Sequence, residues 1–299
     1  MHNSNLYRLK WLDIAKGIAI ILMVLGHTSI PDICSRFIFA FHMPLFFIAS
    51  GWTTHWETRK FGVFIMRKSQ SIMVPFIGYS VVVLILQIVT GSGNLFGWIK
   101  YGWQGYALWF VPVLYIASII CRLIYSIKYC QIRYFVVIGL LLLGVLLKYH
   151  NLYLPWSLSS VPLACFFVFF GTEFRRYQKL IDIPSLWLFI GCLVVTSMVS
   201  YFWKLDMAWN NILPIIPLVI GAIAGTIMVF CLSSYIGRHV RLATKVLSKI
   251  GKETFVVVAF SQEIIILLKQ YTSFHSIVCY LILIVSLIAI VMVKNKLKT

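Results

Sequence analysis

The stretch from Trp11 to Trp52, WLDIAKGIAIILMVLGHTSIPDICSRFIFAFHMPLFFIASGW, reads as two apolar helices joined by a short turn at Pro31-Asp32. Four ionisable residues interrupt it: Asp13, Lys16, His27 and His42. A charged side chain in the middle of a membrane helix costs about 2.5–3.5 kcal/mol on insertion scales. Such a cost is retained where function or a buried partner offsets it. Lys16 and His27 are eleven residues apart. At about 100° per residue they differ by roughly 20° around the axis, and at about 1.5 Å per residue they stand about 16 Å apart. They therefore share one face. Asp13, three residues before Lys16, is within pairing reach of it. Pro44, two residues after His42, removes a backbone donor. It is expected to kink the second helix and open a cavity beside His42.

Working outward, the 299 residues are 61% hydrophobic and 11% charged, with a mean hydropathy of +0.93. No soluble domain has that balance. Apolar runs long enough to cross a bilayer recur along the chain, which specifies an all-α, polytopic membrane protein. A transmembrane barrel would show short alternating segments instead. The net charge of +18 does not point to nucleic acid, because the basic residues flank the apolar spans. The seven cysteines (34, 121, 130, 165, 192, 231 and 279) are odd in number and lack C-x-x-C spacing. They read as small core residues, not as a disulfide framework or metal site. Arg8 and Lys10 precede an apolar run as in a signal peptide, but Asp13 and Lys16 interrupt that run and no A-x-A site follows. An uncleaved first span is expected.

Ten spans are expected, near 12–30, 36–54, 71–90, 107–125, 134–148, 157–174, 185–203, 211–233, 253–269 and 274–293, in a single domain over 1–299. If the N-terminus is cytoplasmic, 20 of the 26 Lys and Arg residues fall in inside segments and five in outside segments. Lys16 lies within the first span. That asymmetry predicts both termini and the Arg238–Lys252 loop in the cytoplasm. His2, His55, His150, His239 and His275 fall at ends or in loops and read as solvated or interfacial.

Three motifs occur in order: D-x-x-K-G at Asp13 to Gly17, the basic-x10-His spacing from Lys16 to His27, and F-x-F-H-M-P-L-F-F-x-x-S-G from Phe39 to Gly51. With them the chain resembles the membrane acyltransferase-3 family, and within it the sugar O-acetyltransferases related to fucose 4-O-acetylase. Further matches are basic Arg67 and Lys68 ahead of Val74-Pro75-Phe76, the LWFVP element around Trp109, and IGKETFVVVAFSQ from Ile250 to Gln262. In the last, Ser261 stands where the family usually has His, and Glu253 where it usually has Asn.

The resemblance implies transfer of an acetyl group from cytoplasmic acetyl-CoA to a sugar hydroxyl of a lipid-linked or polymeric envelope glycan (an O-antigen, capsule or exopolysaccharide unit). It places the protein among the lipids of a bacterial inner membrane, with no metal. His27 and His42, with Asp13, would carry the catalysis. Lys16, Arg67 and Lys68 would hold the CoA phosphates, and Trp109, Ser261 and Gln262 would meet the acceptor. A neutral imidazole can take the proton of a hydroxyl as it attacks a thioester; an acyl-His intermediate is the other route. The competing class is a transporter or flippase of a lipid-linked glycan, since intramembrane ions and proline-broken helices mark transporters too. Against it, no internal repeat is visible, and the charges cluster in the first two helices.

Overall fold

The computed structural model describes residues 9–56, 60–91, 94–103, 106–182, 185–271 and 277–296. Arg8, Arg59, Lys298, His2 and His275 lie outside the described residues. Among the described residues the regular structure is all helix, apart from one isolated bridge between Asp206 and Asn211. The helices are α1 (Lys10–Gly26), α2 (Asp32–Thr53), α3 (Phe61–Lys68), α4 (Val74–Val89), α5 (Leu95–Tyr101), α6 (Phe110–Ser126) and α7 (Cys130–Tyr149). They continue with α8 (Val161–Phe174), α9 (Lys179–Asp182), α10 (Leu186–Phe202), α11 (Ile215–His239), α12 (Arg241–Lys252), α13 (Thr254–Tyr271) and α14 (Ile277–Lys296). Each of the ten expected stretches contains a helix among its described residues. Seven helices among the described residues are long and apolar enough to cross a membrane, so this is a multi-pass membrane protein.

Two of these positions differ from the sequence reading. α1 ends at Gly26, leaving His27 as its C-cap, whereas the apolar run reads on to residue 30. The Arg238–Lys252 segment is not a loop. Its last twelve residues form α12, which packs along α1. Thr244, Ser248 and Gly251, spaced at four and three residues, form the buried face of α12.

Close packing depends on glycine. A Cβ on Gly17 would strike the carbonyl of Leu247, and one on Gly251 the carbonyl of Asp13. The reversed order shows that α1 and α12 run antiparallel with their backbones in contact. α2 and α8 meet in the same way: a Cβ on Gly51 would strike the Val168 carbonyl, and one on Gly171 the Ile48 carbonyl. Small residues let membrane helices approach until van der Waals contact and polar bonds hold them. Here Thr172 Oγ1 donates to Gly51 O (3.1 Å), Trp56 Nε1 donates to Thr172 Oγ1 (2.9 Å), and Arg175 donates to Trp52 O (3.1 Å).

These contacts put α2 and α8 at the centre. The best window of the helix through α8 is 72% buried, against 11% for α7 and for α14, which present apolar side chains outward as lipid-facing helices do. Trp11 packs edge-on against Trp52 (5.3 Å between rings) and Phe230 (5.0 Å), tying the start of α1 to the end of α2. α2 runs through Pro44 as one helix. A π turn at Ser69–Met73 joins α3 to α4, with Val74 N–H bonded to Ser69 O. It lies just ahead of Pro75, whose ring would collide with a carbonyl four residues back in a regular α-turn.

Candidate active site

At the end of the bundle where α1 turns into α2, a cavity of about 240 Å³ opens between the two helices, the α6 entrance and the α10–α11 connection. His27 and His42 both line it. The sequence places them on separate helices, and the structure brings them together. The Phe39 ring stands edge-on to both, 5.5 Å from the His27 ring and 5.0 Å from the His42 ring. His42 is 2% exposed, and its Nδ1 lies 2.9 Å from Ile38 O. A carbonyl oxygen only accepts, so Nδ1 carries the hydrogen and Nε2 keeps its lone pair in the neutral ring. His27 is half-buried. Lys269 of α13 donates to its carbonyl at 3.1 Å, a bond that suits a basic side chain at a helix C-terminus.

Trp109 lines the same cavity. It sits in the 3-10 turn Ala107–Trp109 that opens α6. Gln262 on α13 fixes this turn by accepting from Ala107 N. Ser261 and Gln262 do not line the cavity. Ser261 is 1% exposed and its Oγ has no hydrogen-bond partner among the described residues; Gln262 meets the cavity wall through the turn it supports.

The cations gather at the other end of α1. Lys16 and Lys68 are half-buried. Lys68 Nζ stands over the Phe64 ring at 5.9 Å, and Lys16 is near enough to repel it. Arg67, the next residue round α3, is exposed. Of the two adjacent basic residues, Lys68 is the more buried. Asp13 is buried where α1 crosses α12.

Two acids escape the sequence reading. Glu263 is 7% exposed on α13, and Gln87 Nε2 of α4 donates to its Oε1 at 2.6 Å. The signal was present, because FSQEIIILL places an acid inside an apolar run. The intramembrane charges are therefore not confined to the first two helices. Asp206, in the connection between α10 and α11, lines the histidine cavity together with Lys204. Burial pushes its carboxyl up from the ordinary range, while the Lys204 ammonium and the backbone N–H groups of Trp209 and Ala208 act the other way. Lys204 Nζ itself lies over the Phe39 ring at 5.5 Å.

The arrangement offers two imidazoles, aromatic walls, a carboxylate and an ammonium around a small chamber. A paired-cation region lies along the same helix. That set can take a proton from a hydroxyl at one end and hold an anion at the other. Residues 9–295 match the model of one family, described as an acyltransferase domain. No curated protein and no solved structure gives a match.

Proposed function

The chain belongs to the acyltransferase-3 family and is a membrane acyltransferase, and from that premise we propose that it moves an acetyl group from cytoplasmic acetyl-CoA to a sugar hydroxyl of an envelope glycan. The observation that carries the reading is the meeting of His27 and His42 at one cavity. Family membership in an acyltransferase family disfavours the transporter or flippase reading.

In this mechanism the acceptor hydroxyl enters the cavity and His27 takes its proton as the oxygen attacks the thioester carbonyl. His42 faces it across Phe39, with its tautomer fixed by Ile38. The C–O bond forms, the C–S bond breaks, and the proton passes to the departing thiolate to give the CoA thiol. Lys16 and Lys68 hold the phosphate end of the donor through charge-assisted bonds. The length of α1 between Lys16 and His27 spaces that end from the acyl carbon.

The test is turnover of acetyl-CoA by purified protein with a glycan acceptor, read as an added acetyl mass on the product. Lys68→Ala is expected to raise the acetyl-CoA KM. Losing one charge-assisted contact costs about 1.5–3 kcal/mol, or roughly 10- to 150-fold. Its kcat changes little, because the phosphate contact is equally present in ground and transition states. Exposed Arg67→Ala has the smaller effect. An unchanged KM in Lys68→Ala would remove this lysine from the donor site.

The setting proposed is the bacterial inner membrane, with ten spans and both termini cytoplasmic. A reporter fused after Lys298 should then work only if it is a cytoplasmic reporter. Activity of a periplasmic reporter at that point would require an odd number of spans.

A further inference from the structure

The connection between α10 and α11 is built more firmly than a surface loop needs to be. Asp206 and Asn211 exchange backbone hydrogen bonds (3.0 and 2.8 Å). Asn211 Nδ2 donates to Lys204 O (3.2 Å), Ser160 Oγ donates to Met207 O, and Asn210 Nδ2 donates to Gly144 O (3.4 Å). Asn210 adopts a left-handed conformation (φ 47°), which asparagine tolerates better than most residues. The segment is thus pinned from α7 and from the turn before α8. It projects Asp206 and Lys204 into the cavity beside the two histidines.

The Asp206 carboxylate is half-buried. Among the described residues no basic nitrogen lies within ion-pairing distance of it. An acceptor-only group facing a chamber is complementary to a ligand rich in hydroxyl donors. Trp109 and Trp209 add flat apolar walls to the same chamber. Its volume, about 240 Å³, is below that of drug-sized pockets at roughly 300–1,000 Å³, which suits one sugar ring better than an extended oligosaccharide.

We propose that this segment is the acceptor's recognition element: Asp206 accepts hydrogen bonds from two neighbouring hydroxyls of a pyranose, Lys204 donates to an oxygen beside them, and the ring's apolar face lies on a tryptophan. The identity of the ligand as a sugar rests on the acyl-transfer reading of the cavity; the part played by Asp206 is additional to it. It makes the vicinal diol the feature selected.

The test uses the full-length protein in detergent and the variants Asp206→Asn and Lys204→Met. Asparagine caps a turn about as well as aspartate, and methionine keeps much of the lysine stem over Phe39. A panel of methyl pyranosides and their monodeoxy counterparts is titrated by calorimetry and offered as acceptors with acetyl-CoA. Asp206→Asn is expected to weaken binding of diol-bearing sugars about 10- to 150-fold. It should barely change binding of the deoxy sugars or the acetyl-CoA KM, and Lys204→Met should weaken diol and deoxy sugars alike. Wild-type affinity for the diol sugars in Asp206→Asn, or an equal loss for diol and deoxy sugars, overturns the inference even if transfer proceeds. Diol-dependent binding without acetyl transfer leaves the inference standing and overturns the acetyl-transfer reading. Absence of both binding and transfer overturns the two together.

Discussion

His27→Ala is expected to accumulate in the membrane like the wild type and to transfer acetyl groups about 10²- to 10⁴-fold more slowly, the usual contribution of a positioned general base. The protein should survive the change, because His27 is the C-cap of α1 and not an interior core residue. Its structural link to α13 is through the backbone carbonyl, which alanine keeps. The loss should fall on kcat and kcat/KM together, as for an interaction made in the transition state. His150→Ala is the control. That histidine is exposed at the end of α7, and its removal should be silent. Wild-type rates in His27→Ala of normal abundance would end its candidacy. A comparable loss confined to His42→Ala would move the base to the other imidazole, whose Nε2 is already left to accept a proton.

The second large effect is on assembly. Gly51→Leu is expected to yield no folded protein, and Gly51→Ala to be destabilised by about 1–3 kcal/mol, the range for overpacking a tight interior. The added carbon meets a backbone carbonyl of α8, not the tip of a flexible side chain. No rotamer change relieves it, so α2 and α8 must separate. Separation also strains the bonds from Trp56 through Thr172 to Gly51. Gly139→Ala on α7 is the matched control, since a Cβ there meets nothing within 4 Å. Alanine in that helix should be neutral or slightly stabilising. Thermal unfolding of the detergent-purified variants reads the difference. Equal midpoints for Gly51→Ala and the wild type would mean the two helices have slack the structure does not show.

The membrane class, the ten helical stretches and the pairing of α1 with α2 were legible because each rests on a local pattern. An apolar run marks a helix wherever it occurs. The meeting of His27 and His42 follows from one short turn between two antiparallel helices. α12 is hidden in the sequence for a specific reason. Arg241, Lys245, Lys249 and Lys252 dominate its composition, so it reads as a basic loop. Its buried face is made of Thr244, Ser248 and Gly251, residues that carry little hydropathy but allow backbone contact. The period was present and the usual weighting hid it. Glu263 is visible in the sequence as an acid inside an apolar run, but its partner is not, and the place of Asp206 beside the histidines is not visible either. Gln87 and Glu263 are 176 residues apart, and the α10–α11 connection reaches the cavity only through the packed bundle. The different burial of Arg67 and Lys68 likewise depends on the rotation of α3 about its own axis, which two adjacent basic letters cannot supply.

The glycine contact of α1 with α12 also sets a timetable for biosynthesis. Gly17 is made first, and its partner Leu247 follows 230 residues later. At about 5–20 residues per second, roughly 12–46 s pass before α12, which covers the Gly17 face of α1, exists. During that interval α1, which bears Asp13 and Lys16, has α2 beside it but lacks its α12 neighbour. Until α12 arrives, the face of α1 around Asp13 and Gly17 lacks the backbone it packs against. A chain arrested before Arg241 should therefore present the start of α1 to protease or crosslinker, and the finished protein should hide it.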